Sequence, residues 1–136
     1  MSNLNWPKEL ACRVSRLLPA KLEALKDFGG PIQFRFDIVL VNIICPFRMY
    51  RANPCDLLYF NNENEYDRII SLLSSDIDVV AFSLTQKSNF ITDLDFGFSN
   101  GFHLDLFSDG GPEPWTIDFH GKPNLRDIYI GNDPFE

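Results

Sequence analysis

The sequence predicts an α+β domain: N-terminal helices, a largely antiparallel and twisted sheet, and one further helix at about 62–74. Three observations lead there. Phenylalanine occurs 13 times, and aromatic residues favour pleated, half-buried surfaces and bury large areas. Alternation of apolar and polar residues runs through 91–98, 102–107 and 115–119, which is the strand period. Two other segments, 7–28 and 62–74, repeat their apolar residues at helical spacing. With 136 residues, 45% of them hydrophobic, the chain is long enough to close a core without metal or disulfides, and it reads as a single domain over 1–136.

The first segment, PKELACRVSRLLPAKLEALKDF at 7–28, opens with Pro7 in a position suited to a first helical turn. Leu10, Val14, Leu17 and Leu18 recur at helical spacing, followed by Leu22, Leu25 and Phe28. Pro19 must break or kink such a run, so two short helices or one bent helix are expected, ended by Gly29-Gly30-Pro31. The stretch 32–45 starts in alternation at Ile32, Phe34, Phe36 and Ile38, then turns almost wholly apolar; one long central strand or two are expected. Prolines at 46 and 54 mark 46–54 as a loop or an edge segment. Residues 56–60 read as a strand. Asn62 and Glu65 resemble a capping box, with Asn in place of Ser or Thr, ahead of the stripe Tyr66, Ile69, Ile70 and Leu73. Strands follow at 77–84 and through the C-terminal meander, with 126–130 as an additional one.

The stretch DLDFGFSNGFHLDLF at 93–107 fixes its own register by parity. A two-residue loop would set apolar residues opposite polar ones along the whole ladder. A three-residue loop, Ser99-Asn100-Gly101, pairs Phe98 with Phe102, Phe96 with Leu104 and Leu94 with Leu106, and makes one face apolar. Gly101 then stands where a left-handed residue is needed. The other face carries Asp93, Asp95, Gly97, His103 and Asp105, with Asp95 directly opposite Asp105. Like charges opposite each other cost a few tenths of a kcal/mol, roughly, when solvated. The alternation in WTIDFH turns Asp118 and His120 to the same face if that strand is a neighbour.

Charge narrows the function. Residues 1–90 hold ten basic and ten acidic side chains, which cancel; residues 91–136 hold nine acids and two bases, so the net charge of −7 arises in the last third. Such a surface is a poor match for nucleic acid or an anionic membrane, both of which need clustered Lys and Arg. The opening residues have no apolar run for a signal segment, and no apolar stretch is long enough to span a bilayer, so a cytoplasmic protein is expected. Cys12, Cys45 and Cys55 are odd in number and without metal spacing; buried, inert thiols are expected, with no disulfide framework and no cofactor. Trp6 and Trp115 read as core anchors.

The acidic residues admit several readings. A wetted sheet face keeps an acidic protein soluble. A partner-binding surface made of Asp93, Asp95, His103, Asp105, Asp109, Glu113 and Asp118 would select a basic protein. A small-ligand or metal-binding domain is the alternative, with Asp95, His103, Asp105, Asp118 and His120 as mixed carboxylate and imidazole donors. Catalysis finds no nucleophile elbow, phosphate-cradling loop or metalloprotease motif, and no enzyme is expected.

The segment ITDLDFGFSNGFHLDLFSDGGPEPWTIDF at 91–119 resembles the C-terminal hairpin of a group of small bacterial proteins. It shares a strand, an F-x-N-G-x-x-L hairpin at 98–104 and a W-x-I strand at 115–117. Some of these look like immunity proteins of contact-dependent growth inhibition and related polymorphic-toxin systems. The resemblance implies a cytoplasmic antitoxin that covers the active surface of a cognate toxin. Many such toxins are nucleases with basic clefts. It carries over no binding residue by position.

Overall fold

Pro19 separates a helix from a strand, not a helix from a helix. In the computed structural model, which describes residues 6–27, 32–45, 47–51, 56–59, 76–88, 91–108, 114–119 and 128–131, α1 spans Trp6–Ser15 and β1 spans Ala20–Asp27. The leucine spacing over 20–25 that suggested a second helix is alternation interrupted by a bulge. Ala20 and Leu22 face the core, and the register against the next strand shifts between Leu22 and Ala24. An inserted residue turns a spacing of two into a spacing of three, which imitates a helical period. The helix expected at 62–74 lies outside the described residues.

Nine further strands follow: β2 (Ile32–Phe36), β3 (Val39–Ile43), β4 (Phe47–Arg51), β5 (Asp56–Tyr59), β6 (Asp78–Ser88), β7 (Ile91–Phe98), β8 (Phe102–Leu106), β9 (Trp115–Phe119) and β10 (Ile128–Ile130). All pair antiparallel in one 10-stranded sheet ordered β10-β9-β3-β2-β1-β6-β7-β8-β4-β5. With one short helix among the described residues, the fold is largely β, and the α+β expectation is corrected. The apolar run at 32–45 is two strands joined at Asp37-Ile38, with Phe36 opposite Val39 and Asp37 at φ 53°. Aspartate tolerates that left-handed conformation better than most residues.

The sheet closes over itself. β2 and β7 are separated by β1 and β6, so in a flat sheet they would lie about 14 Å apart. Yet the Phe34 and Phe96 rings sit 5.1 Å apart, edge to face, and Phe36 meets Phe96 at 6.1 Å. The bend falls at β1, which pairs with β6 only through Ala20 opposite Val79 and Lys21 opposite Asp78 before leaving it to follow β2. Two inner faces thus meet around Phe34, Phe36, Phe82, Phe96 and Phe98. Each fully buried ring contributes roughly 2–3 kcal/mol.

α1 closes the β9–β10 end of this core with Trp6, Leu10 and Val14. The Trp6 ring lies 6.1 Å from both Trp115 and Tyr129. The Trp115 indole N–H donates to the Thr92 carbonyl at 2.9 Å, tying β9 to β7 across the fold. Trp6 and Trp115 are core anchors, at 1% and 0% exposure. Among the described residues no helix is long and apolar enough to cross a membrane.

Candidate interaction face on β4, β8 and β7

The hairpin of β7 and β8 has the register that parity demands. Phe96 stands opposite Leu104, Leu94 opposite Leu106 and Asp95 opposite Asp105. The loop closes through the Gly101 amide donating to the Phe98 carbonyl at 3.0 Å, with Gly101 at φ 89°. The Phe102 amide donates to the Asn100 side chain at 3.1 Å.

What surrounds the acids comes from β4. The segment expected to be a loop or an edge segment alternates Phe47 and Met49 inward with Arg48 and Tyr50 outward, and it pairs with β8. Two rows of side chains then cross the sheet. In one, Arg48 is opposite Asp105, Asp105 opposite Asp95, and Asp95 opposite Ser83. In the other, Tyr50 is opposite His103, His103 opposite Gly97, and Gly97 opposite Ala81. Tyr50 and His103 stack with centroids 5.2 Å apart and planes 17° from parallel. The imidazole leans over Gly97, where an added Cβ would come within 3.3 Å of His103 Cε1.

This arrangement answers how the hairpin tolerates its carboxylates: each is paired. Arg48 Nη2 reaches Asp105 Oδ2 at 2.5 Å, with Nε to the same oxygen at 3.2 Å. His103 Nδ1 lies 3.0 Å from Asp95 Oδ1. Lys87 Nζ is 2.7 Å from Asp93 Oδ2, and the Ser108 amide donates to Asp93 Oδ1 at 2.8 Å. Arg48 also lies over the Tyr50 and Phe107 rings, and Lys87 over Phe107.

Pairing does not make every carboxylate comfortable. The Asp105 pKa is pushed up to about 6, first by burial and then by Asp95 alongside, against the opposing pull of Arg48. The arginine loses that contest for a physical reason. It bonds one carboxylate oxygen only, and its own side chain is 44% exposed, where water screens its charge. Burial likewise raises Tyr50, with Asp105 and Asp95 adding to it, so this hydroxyl stays neutral at physiological pH. Below about pH 6 the Asp105 carboxyl therefore holds its proton in the fold.

The expected partner-binding set is only partly assembled. Asp93, Asp95, His103 and Asp105 come together, but Asp93 and Asp105 are buried, at 7% and 8%, and serve as internal partners to Lys87, Ser108 and Arg48. Asp118 is not on this face: β9 lies beside β3 and β10, where Asp118 stands opposite Leu40 and Ile128. Asp109, Glu113 and His120 lie outside the described residues. Cys12 is exposed and not buried, because it falls on the helix face opposite the Leu10 and Val14 stripe; Cys45 is buried. Arg48, Tyr50, Lys87 and Phe107 are the members that sequence reasoning missed. The signal for the first two was the F-R-M-Y-R alternation at 47–51, masked by its flanking prolines.

Among the described residues no group of three or more His, Cys, Asp and Glu side chains is placed to hold a metal ion. Searches of protein-family models, curated proteins and solved structures gave no match to this chain.

Proposed function

We propose that the protein is a non-catalytic binding protein of the immunity type, which neutralises a basic protein toxin, a nuclease being the favoured class, in the cytoplasm. The outer face of β4, β8 and β7 is its docking surface in this reading. The observation that supports it most is the half-exposed, mutually held set of Arg48, Tyr50, His103 and Asp95. Arginine and tyrosine dominate binding hot spots because they bring large contact areas and directed hydrogen bonds. Here the stack of Tyr50 on His103 and the His103–Asp95 contact already restrict their rotamers, so less entropy is lost on docking. The net charge of −7 supplies long-range attraction for a cationic partner.

On this reading a neighbouring gene encodes the cognate toxin domain, and the test uses that domain. Purified protein should abolish its activity at a one-to-one ratio. Tyr50→Ala and His103→Ala should each weaken binding by about tenfold or more while the melting temperature moves little. A toxin left fully active by excess wild-type protein would sink the immunity reading. Inhibition that is indifferent to both substitutions would move the docking surface off this face.

A further inference from the structure

A second site lies on α1, and it shares no residue with the sheet face of β4, β8 and β7. One side of α1 and the turn after it presents Glu9, Cys12, Arg13, Arg16 and Leu17, and these line a cleft of about 440 Å³ with Ile38 and Phe119. Their spacing in sequence puts them one above another on a single helix face, distinct from the buried face of Trp6, Leu10 and Val14. The volume falls within the range of small-molecule sites.

The chemistry of this cleft is mixed in a directed way. Leu17, Ile38 and Phe119 make an apolar lining. Arg13 is fixed over it: its guanidinium sits 3.9 Å from the Phe119 ring centroid and donates to the Tyr129 hydroxyl at 3.0 Å. Glu9, four residues before Arg13, offsets one of the two positive charges. Arg16, exposed, leaves the cleft with a net positive charge on a chain whose overall charge is −7. The helix C-terminus alone accounts for a cation at this end. It does not account for a clamped guanidinium beside an apolar lining.

We propose that this cleft binds a small organic anion with an apolar body: a carboxylate or sulfonate on an aromatic or alkyl group. The apolar part would lie on Leu17, Ile38 and Phe119, and the anionic group would meet Arg16 and the outer side of Arg13. An arginine already held in place takes up an anion at little further entropic cost, and its forked donors suit a carboxylate or sulfonate.

The test is a fluorescence titration of the folded protein with anilinonaphthalene sulfonate, an aromatic sulfonate whose emission rises in apolar sites. Saturable binding at one site per chain is expected. Arg16→Glu should weaken it by about tenfold or more, and Arg16→Lys should retain most of it. The uncharged relative phenylnaphthylamine should bind far more weakly to wild type. Alkylation of Cys12, followed by mass spectrometry of its peptide, should slow when the sulfonate is bound. The proposal is overturned if no saturable binding occurs. It is equally overturned if Arg16→Glu or the uncharged probe binds as tightly, or if Cys12 stays as reactive in the occupied protein.

Discussion

Asp105 carries a signed prediction about stability. Its pKa is about 6 in the fold and 3.8 ordinarily. As pH rises between those values, the folded state keeps a proton that the unfolded state has released, so stability falls through this window. Below it the stabilising contribution of the protonated carboxyl is fully present, and above it that contribution is gone. The gap is worth about 3 kcal/mol as an upper bound, at 1.36 kcal/mol per pH unit. The carboxylate is only 12% exposed, so solvent screening takes little from this figure. Asp105→Asn keeps the shape, still accepts from Arg48, can donate to Asp95 and cannot ionise. Urea denaturation of both proteins at intervals from about pH 4 to 7.5 brings out the effect, because the titrating groups that do not face Asp105 are common to the two and cancel. Relative to wild type, the asparagine variant should gain about 2–3 kcal/mol between the ends of that range. A difference that stays constant with pH would refute the reasoning, and would mean that Arg48 holds Asp105 ionised throughout.

Three further outcomes are expected. Gly131→Ala places a Cβ within 2.5 Å of the buried Trp115 indole, and should lower stability by about 3 kcal/mol or prevent folding, read by thermal melting. Gly101→Val puts a β-branched residue at φ 89° and should cost about 1–3 kcal/mol; an unchanged melting temperature would show that the loop does not need glycine. Trp115→Phe removes the donor to the Thr92 carbonyl and leaves that buried acceptor unpaired, a loss of about 2–4 kcal/mol with the smaller ring included.

Local parity made parts of this fold readable in the sequence, and long-range pairing hid the rest. The β7–β8 hairpin was legible because its two strands and loop are contiguous and only one register buries Leu94, Phe96, Leu104 and Leu106 together. Trp6 and Trp115 were legible as anchors from size alone. β1 was not, because the bulge between Leu22 and Ala24 broke the period of two at the point where the sheet bends. β4 was not, because Pro46 and Pro54 outweighed five residues of clean alternation. The position of β9 could not be read at all. Nothing in WTIDF encodes that it pairs with β3, from 39–43, and not with the strand before it.

That long-range pairing reverses the meaning of the acidic pattern. Seen alone, Asp93, Asp95 and Asp105 form a patch of like charge, and the natural reading is a negative surface awaiting a basic partner. Once β4 lies beside β8 and β6 beside β7, Arg48 and Lys87 arrive from strands more than a dozen residues away or across a turn, and two of the three carboxylates become ion pairs. Arg48, Lys87, Asp93, Asp95 and Asp105 together carry one negative charge with His103 neutral, not three. The face therefore contributes little of the net −7. Five of the nine acids after residue 90, namely Asp109, Glu113, Asp127, Asp133 and Glu136, lie outside the described residues. On the docking reading proposed above, long-range attraction and short-range docking thus fall to different residues. The former follows total charge and is screened beyond about 8 Å at physiological salt. The latter follows the directed contacts of Arg48, Tyr50 and His103, which salt touches less. Removing distal acids should slow association, whereas removing Tyr50 or His103 should speed dissociation, and kinetics measured across a salt series can separate the two.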